Sequence, residues 1–294
     1  MITVSNLSKT YKNDVHALKD ISLEIGKGMF GLVGPNGAGK TTLMRILAGL
    51  LRPTKGDVVA FDHNMNSRQG KQAVKAHLGY LPQELGLYPN LTGREFLDYI
   101  AILKGINNKS ARKNQISELL ETVRLVDKAD DRIKHYSGGM KRRVGIAQAL
   151  LGQPKLIIVD EPTVGLDPEE RVRLRNLLGD VAQRCTVILS THIIEDISQS
   201  CNDLAVMNNG AVLYRGSPID LITEARGQVW TIMTQGERPN NGLSVVSTLQ
   251  MHNGIQYRVL GTPDAHYNAT SVEPSLEDGY IWLMQQHTKQ IKTT

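Results

Sequence analysis

The 294-residue sequence predicts an α/β protein: a parallel-sheet core with a two-part N-terminal sheet, a helical portion, and a small α+β domain at the C-terminal end. Three observations carry this. The apolar runs MFGLV (29–33), LIIV (156–159) and CTVIL (185–189) are short and unbroken, as strands buried on both faces are. Each runs into small or polar residues, the pattern of a sheet that gathers its chemistry at the strand tips. After about residue 220 the composition changes to new strand-like segments and one amphipathic helix, which divides the chain into 1–220 and 221–294.

From the N-terminus, ITVSNL (2–7) and HALKDISLEI (16–25) alternate apolar and polar residues and read as strands with Tyr11 between them. MFGLV then leads into GPNGAGKTT, residues 34–42, and LMRILAGL, whose Leu43, Ile46, Leu47 and Leu50 have helical spacing. A strand, a glycine-rich loop and a helix form the setting of a phosphate-binding P-loop. Gly34, Gly37 and Gly39 let backbone N–H groups wrap phosphate oxygens, with Pro35, Asn36 and Ala38 between them. Lys40 can reach the outer phosphates, and Thr41, followed by Thr42, can offer a hydroxyl to Mg²⁺.

LRPTKGDVVAFD (51–62) reads as a turn and a strand, and GYLPQELGLY (79–88) as a short strand with Gln83 just beyond it. The Gln83 amide either meets metal or water or holds a turn. LTGREFLDYIAIL (91–103) opens with Thr92 and Glu95 spaced as a capping box, and ISELLETVRLV (116–126) is a second helix.

YSGGMKRRVGIAQALL (136–151) combines a Ser137 N-cap, the permissive pair Gly138-Gly139 and a basic amphipathic helix. Its open N–H groups and dipole suit an anion that no nearby residue supplies. Lys141 and Arg142 can face solvent on the helix, and a solvated basic face is expected for at least one of them. LIIVDE (156–161) places two carboxylates at a strand tip: Asp160 suits a Mg²⁺ shell, and Glu161 suits orienting and polarising a water. In CTVILSTH (185–192), His192 stands just past a strand, where it either senses a terminal phosphate or satisfies a backbone carbonyl.

Beyond residue 220, VWTIMT, LSVVSTLQM and IQYRVL suggest strands, and PSLEDGYIWLMQQ a final helix with Ser275 and Asp278 spaced for a capping box. His252, His266 and His287 are too dispersed to suggest a metal site.

Composition bounds the function. The net charge of +5 is uneven: residues 221–294 hold five Lys/Arg against six Asp/Glu, so the excess lies in the first 220. Aromatic residues make up only 5% and do not alternate with basic ones, so no direct nucleic-acid partner is expected. No run approaches eighteen apolar residues, and MITVSNLSKT lacks a basic-then-apolar leader, which predicts a cytosolic chain that reaches a membrane only through a partner. Cys185 and Cys201 read as ordinary thiols of a reducing compartment.

Over residues 2–217, these motifs in this order closely resemble the ATP-binding subunit of ABC transporters, particularly the exporter group whose membrane subunit is a separate chain. The resemblance implies a P-loop ATPase core with an N-terminal antiparallel β subdomain and a helical subdomain. It implies ATP and Mg²⁺ as ligands, and a homodimer or a heterodimer with a related ATP-binding subunit. Separate transmembrane permease subunits would hold the pair at the cytoplasmic face of the membrane. By this resemblance Tyr11 stacks on adenine, residues 34–42 hold phosphates, and Gln83 senses the metal and couples to the membrane domain. Asp160 associates with Mg²⁺, Glu161 is the catalytic glutamate, and His192 contacts the γ-phosphate. Gly165, Leu166 and Asp167 fall in the loop that crosses the dimer interface. Ser137, Gly138 and Gly139 form the signature, which faces the nucleotide of the other subunit. The anion missing from the 136–151 segment is then the partner's ATP.

Tyr136 and Met140 replace the usual leucine and glutamine of that signature. Arg143 matches the family's basic residue. Leu85, Leu87 and Tyr88 either line a groove for the membrane partner or pack between subdomains. A soluble ATPase of the same family, acting in translation or on DNA, is the alternative. It fits less well, because there is one cassette and Ser137 comes only 54 positions after Gln83.

Overall fold

The computed structural model describes residues 1–12, 14–240 and 242–293. Strands β1 (Ile2–Thr10) and β2 (His16–Ile25) form the expected N-terminal pair, and β3 (Gly28–Val33) leads to α1 (Lys40–Leu47). Next come β4 (Lys55–Ala60), β5 (His63–Asn64), α2 (Arg68–Ala76) and β6 (Leu78–Leu81). The helical portion is α3 (Gly93–Leu103), α4 (Lys109–Thr122) and α5 (Gly138–Leu150). The core returns with β7 (Leu156–Asp160), α6 (Pro168–Ala182), β8 (Thr186–Thr191), α7 (Ile194–Ser198), β9 (Asp203–Asn208) and β10 (Ala211–Gly216). The chain continues through α8 (Pro218–Glu224), β11 (Val229–Thr234), β12 (Ser244–Met251), β13 (Gly254–Leu260), β14 (Ala269–Ser271) and α9 (Leu276–Thr293).

The central sheet has the order β10-β9-β3-β8-β7-β6. Its strands run parallel except for the antiparallel edge strand β10. The unbroken apolar runs have a direct cause here. Phe30, Leu32, Leu156, Ile158 and Ile188 face the cluster shared with β1, β2, β4 and α1. Met29, Val33, Ile157, Val159, Val187 and Leu189 face the opposite cluster, shared with α3–α6. Side chains alternate between the two faces, so a strand buried on both must be apolar at every position. Register sets the tips level, with Val33 opposite Thr191 and Asp160 opposite Ser190.

The N-terminal sheet, β2-β1-β4-β5, is antiparallel and covers one side of α1. Helix α1 ends earlier than its apolar spacing suggests. Gly49 at φ +67° turns the chain, Leu50 N donates to Arg45 O, and Leu50 is left 58% exposed. The Thr92–Glu95 capping box of α3 is fully formed, each side chain bonding the other's backbone N–H.

The C-terminal sheet, β12-β13-β11-β14, is antiparallel and carries two small clusters of its own. Helix α9 ties it to the core: Leu276, Tyr280, Leu283 and Met284 pack into the α3–α6 side. Gly279 sits so near the Leu221 carbonyl that an added Cβ would lie 2.4 Å from it, which lets α8 and α9 approach closely. The predicted Ser275–Asp278 box is present, and Arg258 donates to the Asp278 carboxylate through Nε and Nη2.

Candidate functional site

Chemistry collects at the C-terminal tips of β3, β7 and β8. An open crevice is lined by Ala17, residues 36–42, Gln83 and Glu161. Gly34 and Gly39 are required at their places. Their φ angles are +155° and +103°, and a Cβ would lie 2.2 Å from Met207 O and 2.6 Å from Ala17 O respectively. Lys40 opens α1 and folds back over the loop, donating to Gly34 O at 2.7 Å and Pro35 O at 3.1 Å. Its ammonium lies 4.0 Å from Glu161 Oε1. Burial lowers the Lys40 pKa, and the Glu161 and Asp160 charges oppose that shift.

Asp160 lies behind the lining. Ser190 Oγ donates to its Oδ1 at 2.8 Å, while Oδ2 is buried with no hydrogen-bond partner. An orphaned carboxylate oxygen is costly unless a cation completes it. With the Thr41 hydroxyl and Gln83 amide on the crevice wall, the available donors are oxygens, the set a hard divalent cation takes.

Glu161 has a left-handed backbone, φ +49°, a conformation that costs a non-glycine residue about 1–3 kcal/mol. Its N–H donates to Ser190 O and its carbonyl accepts from Arg142, so both ends of the strained residue are held. The carboxylate is aimed by His192, whose Nδ1 lies 2.8 Å from Oε2. The imidazole therefore engages the Glu161 side chain rather than a backbone carbonyl. Its other nitrogen has no protein partner among the described residues.

Tyr11 stands beyond the lining, 39% exposed, with its hydroxyl 3.4 Å from Thr42 Oγ1 and the Lys9 ammonium 5.4 Å from its ring centre. Ser137, Gly138 and Gly139 do not join this crevice. Ser137 Oγ accepts from Met140 N at 3.2 Å, capping α5 as expected, and the two glycines open outward. Gly165, Leu166 and Asp167 lead into α6, which Asp167 caps by accepting from Glu170 N. Leu166 approaches Gly139. Tyr88 is exposed, whereas Leu85 and Leu87 pack partly into the core.

For Arg142 the solvent-face reading is corrected: it is 6% exposed and bonded to the carbonyls of Pro82, Gln83, Asp160, Glu161 and Pro162. It shares the inward stripe of α5 with Ile146 and Ala149, so helical spacing contained the signal and the charge concealed it. Ser190, which holds Asp160, was visible only as the end of a strand.

The ABC transporter family model matches residues 18–164. The ABC transporter ATP-binding protein YxlF of Bacillus subtilis is 33% identical over 99% of this chain and 97% of its own length. The linearmycin resistance ATP-binding protein LnrL of Bacillus subtilis is 35% identical over 77% of this chain and 72% of its own. Among solved structures, a dimeric ATP-binding cassette in a post-hydrolysis state, bound to ADP and Pi, superposes with a TM-score of 0.69. It is 28% identical and covers 74% of this chain and 98% of its own.

Proposed function

The chain belongs to the ABC transporter family as an ATP-binding subunit, and from that premise we propose that it is the Mg²⁺-dependent ATPase of an exporter, paired beneath separate transmembrane permease subunits. Hydrolysing ATP to power transport is its activity; the relatives favour this over a soluble role in translation or on DNA. The finer reading rests above all on one crevice that brings the Lys40 ammonium to 4.0 Å from the Glu161 carboxylate beside the phosphate loop.

In this reading the N–H groups of residues 34–39 hold phosphate oxygens. Lys40 exchanges its carbonyl partners for the outer phosphates. Tyr11 stacks on the base. Thr41, Gln83 and Asp160 hold Mg²⁺, a role supported by the orphaned Asp160 oxygen. Held there, Mg²⁺ would supply charge neutralisation for the transferring phosphoryl oxygens. Glu161 orients the attacking water and accepts its proton, steered by His192.

Ser137, Gly138 and Gly139 do not line their own crevice and remain accessible, which supports a role toward a second subunit's ATP. Residues 1–220 act as the ATP-binding domain and 221–294 as an accessory domain with its own small clusters. Among the described residues no helix is long and apolar enough to cross a membrane; in this reading the permease holds the subunit at the cytoplasmic face.

Tagged Glu161→Gln protein tests this, purified from its native cells in mild detergent with ATP and Mg²⁺. The variant is expected to bind ATP, to lose turnover by at least about 100-fold, and to retain a multispan membrane protein in stoichiometric amount. Near-normal hydrolysis would remove Glu161 from its role. Recovery of ribosomes or DNA-bound proteins without a membrane subunit would overturn the transport reading.

A further inference from the structure

Arg142 carries a buried charge that no carboxylate meets at ion-pair distance among the described residues, although the Asp160 and Glu161 charges nearby favour it. A guanidinium has five N–H donors, and here every one meets a main-chain carbonyl. Nε donates to Pro162 O at 2.9 Å, Nη1 to Pro82 O at 3.1 Å and Gln83 O at 3.0 Å, and Nη2 to Asp160 O at 2.8 Å and to Glu161 O. These carbonyls belong to two separate segments, one following β6 and one ending β7. The side chain itself springs from α5, three residues after Gly139. Three pieces of backbone therefore meet on one planar group: the piece carrying Gln83, the piece carrying Asp160 and Glu161, and the helix opened by Ser137.

We propose that Arg142 is a positioning residue for ATP hydrolysis, holding Glu161 and Gln83 in fixed relation to the start of α5 so that a displacement of that helix is felt at both. This rests on the reading of the site given above. Two features favour it over plain packing. Among the acceptors is the carbonyl of the left-handed residue Glu161, whose conformation needs support from outside. The donor geometry is also specific to arginine: lysine has the charge but three donors at a single point, and would leave at least two of the five carbonyls without their partner. Nucleotide affinity, by contrast, comes from Lys40 and the P-loop, which Arg142 does not touch.

Arg142→Lys and Arg142→Gln are made in the full chain beside Lys141→Gln as a neighbour control. Each is measured for binding of a fluorescent ATP analogue, steady-state hydrolysis with ATP and Mg²⁺, and thermal melting. The expected split is affinity within about threefold of the parent and kcat at least about 10-fold lower in both Arg142 variants, with the control unchanged. Arg142→Lys is expected to recover little, because charge alone does not replace the fork. Parental kcat in a folded Arg142→Lys, or affinity and kcat falling together in step with melting temperature, would overturn the proposal. Should both variants fail to fold, hydrogen exchange on the parent protein decides. ATP is then expected to change protection of residues 83–85, 139–143 and 161–163 in concert, and independent responses would overturn the link. If the parent hydrolyses ATP and Glu161→Gln does not, while Arg142→Lys behaves as the parent, the positioning role falls and the functional reading stands. If the parent and Glu161→Gln turn over alike, the functional reading falls first.

Discussion

Ser137 and Ser275 perform the same local task in two parts of the molecule. Ser137 Oγ accepts from Met140 N at the start of α5, and Ser275 Oγ accepts from Asp278 N at the start of α9. At α9 the surrounding groups close the motif: Asp278 bonds Ser275 N and Oγ, and Arg258 bonds Asp278. At α5 the glycines leave the first turn open. The cap of α9 is closed by its own neighbours, although Trp230 Nε1 in the same region is buried without a partner, whereas the core leaves open the groups at the crevice: the buried Asp160 oxygen, the half-exposed His192 nitrogen and the glycine turn. Of these, the Asp160 oxygen is the buried one, and a buried polar group left incomplete costs stability unless a ligand completes it, so it points to where a cation binds.

The sharpest way to test this contrast is to remove the cation that stands beside the unfinished groups of the crevice. Lys40→Ala is expected to lower hydrolysis below detection and to weaken ATP-analogue binding by about 10–100-fold, the cost of a charged hydrogen bond. The melting temperature without nucleotide should fall as well, because Gly34 O, Pro35 O and the buried Glu161 carboxylate lose their cation. Parental affinity would show that the crevice holds phosphate some other way.

Next in size is Asp278→Asn, expected to cost about 3 kcal/mol by stranding Arg258 from its buried partner. It should loosen the C-terminal region in hydrogen exchange while kcat stays within twofold. A large fall in kcat would instead make residues 221–294 part of the engine. Asp278 also gives a pH signature. Burial pushes its pKa up, but the Arg258 and Ser275 bonds outweigh it and the net shift is downward. Its stabilisation is therefore complete above the ordinary aspartate value of about 3.9 and is lost as pH falls through the lowered native value.

The two caps give the closest comparison. Ser137→Ala and Ser275→Ala should each cost about 1 kcal/mol in thermal melting. Only Ser137→Ala is expected to reduce hydrolysis as well, in protein concentrated enough to pair. Equal losses of activity would erase the distinction between the regions.

The smallest effect concerns Lys104, which reaches from α3 to Leu151 O just past the end of α5 and is pushed down to about 8 by burial. Below that pH both folded and unfolded chains carry its proton and the burial cost is complete; above the ordinary lysine value of about 10.4 the cost is gone. The melting difference between parent and Lys104→Met should accordingly move in the parent's favour from pH 7.5 to 9.5. A flat difference would show the charge to be well solvated.

The same contrast governs what could be read from sequence. The P-loop was legible because wrapping phosphates demands glycines and a lysine at fixed spacing, and the DE tip because carboxylates ending an apolar run have little other use. The strands of the C-terminal region, VWTIMT among them, were recognisable as strands, yet their pairing order β12-β13-β11-β14 was not, because sheet order depends on contacts distant in sequence. Arg142 was misread for a related reason. A charged residue normally pays for burial through a nearby acid, and its five acceptors are carbonyls, which no sequence pattern displays. Ser190 was overlooked because a hydroxyl at a strand end is common, and only the register opposite Asp160 gives it significance.

The place of β3 in the central sheet has a consequence for the chain as it is made. The phosphate loop emerges early, by residue 42, but the strand leading into it lies between β8 and β9, residues 186–191 and 203–208. Until translation reaches them, β3 has two open edges and an apolar face ready to pair with the wrong neighbour. Nucleotide capture is thus a late event in the life of the polypeptide. A chain interrupted before residue 203 would carry every letter of the phosphate motif and lack one wall of the sheet that supports it.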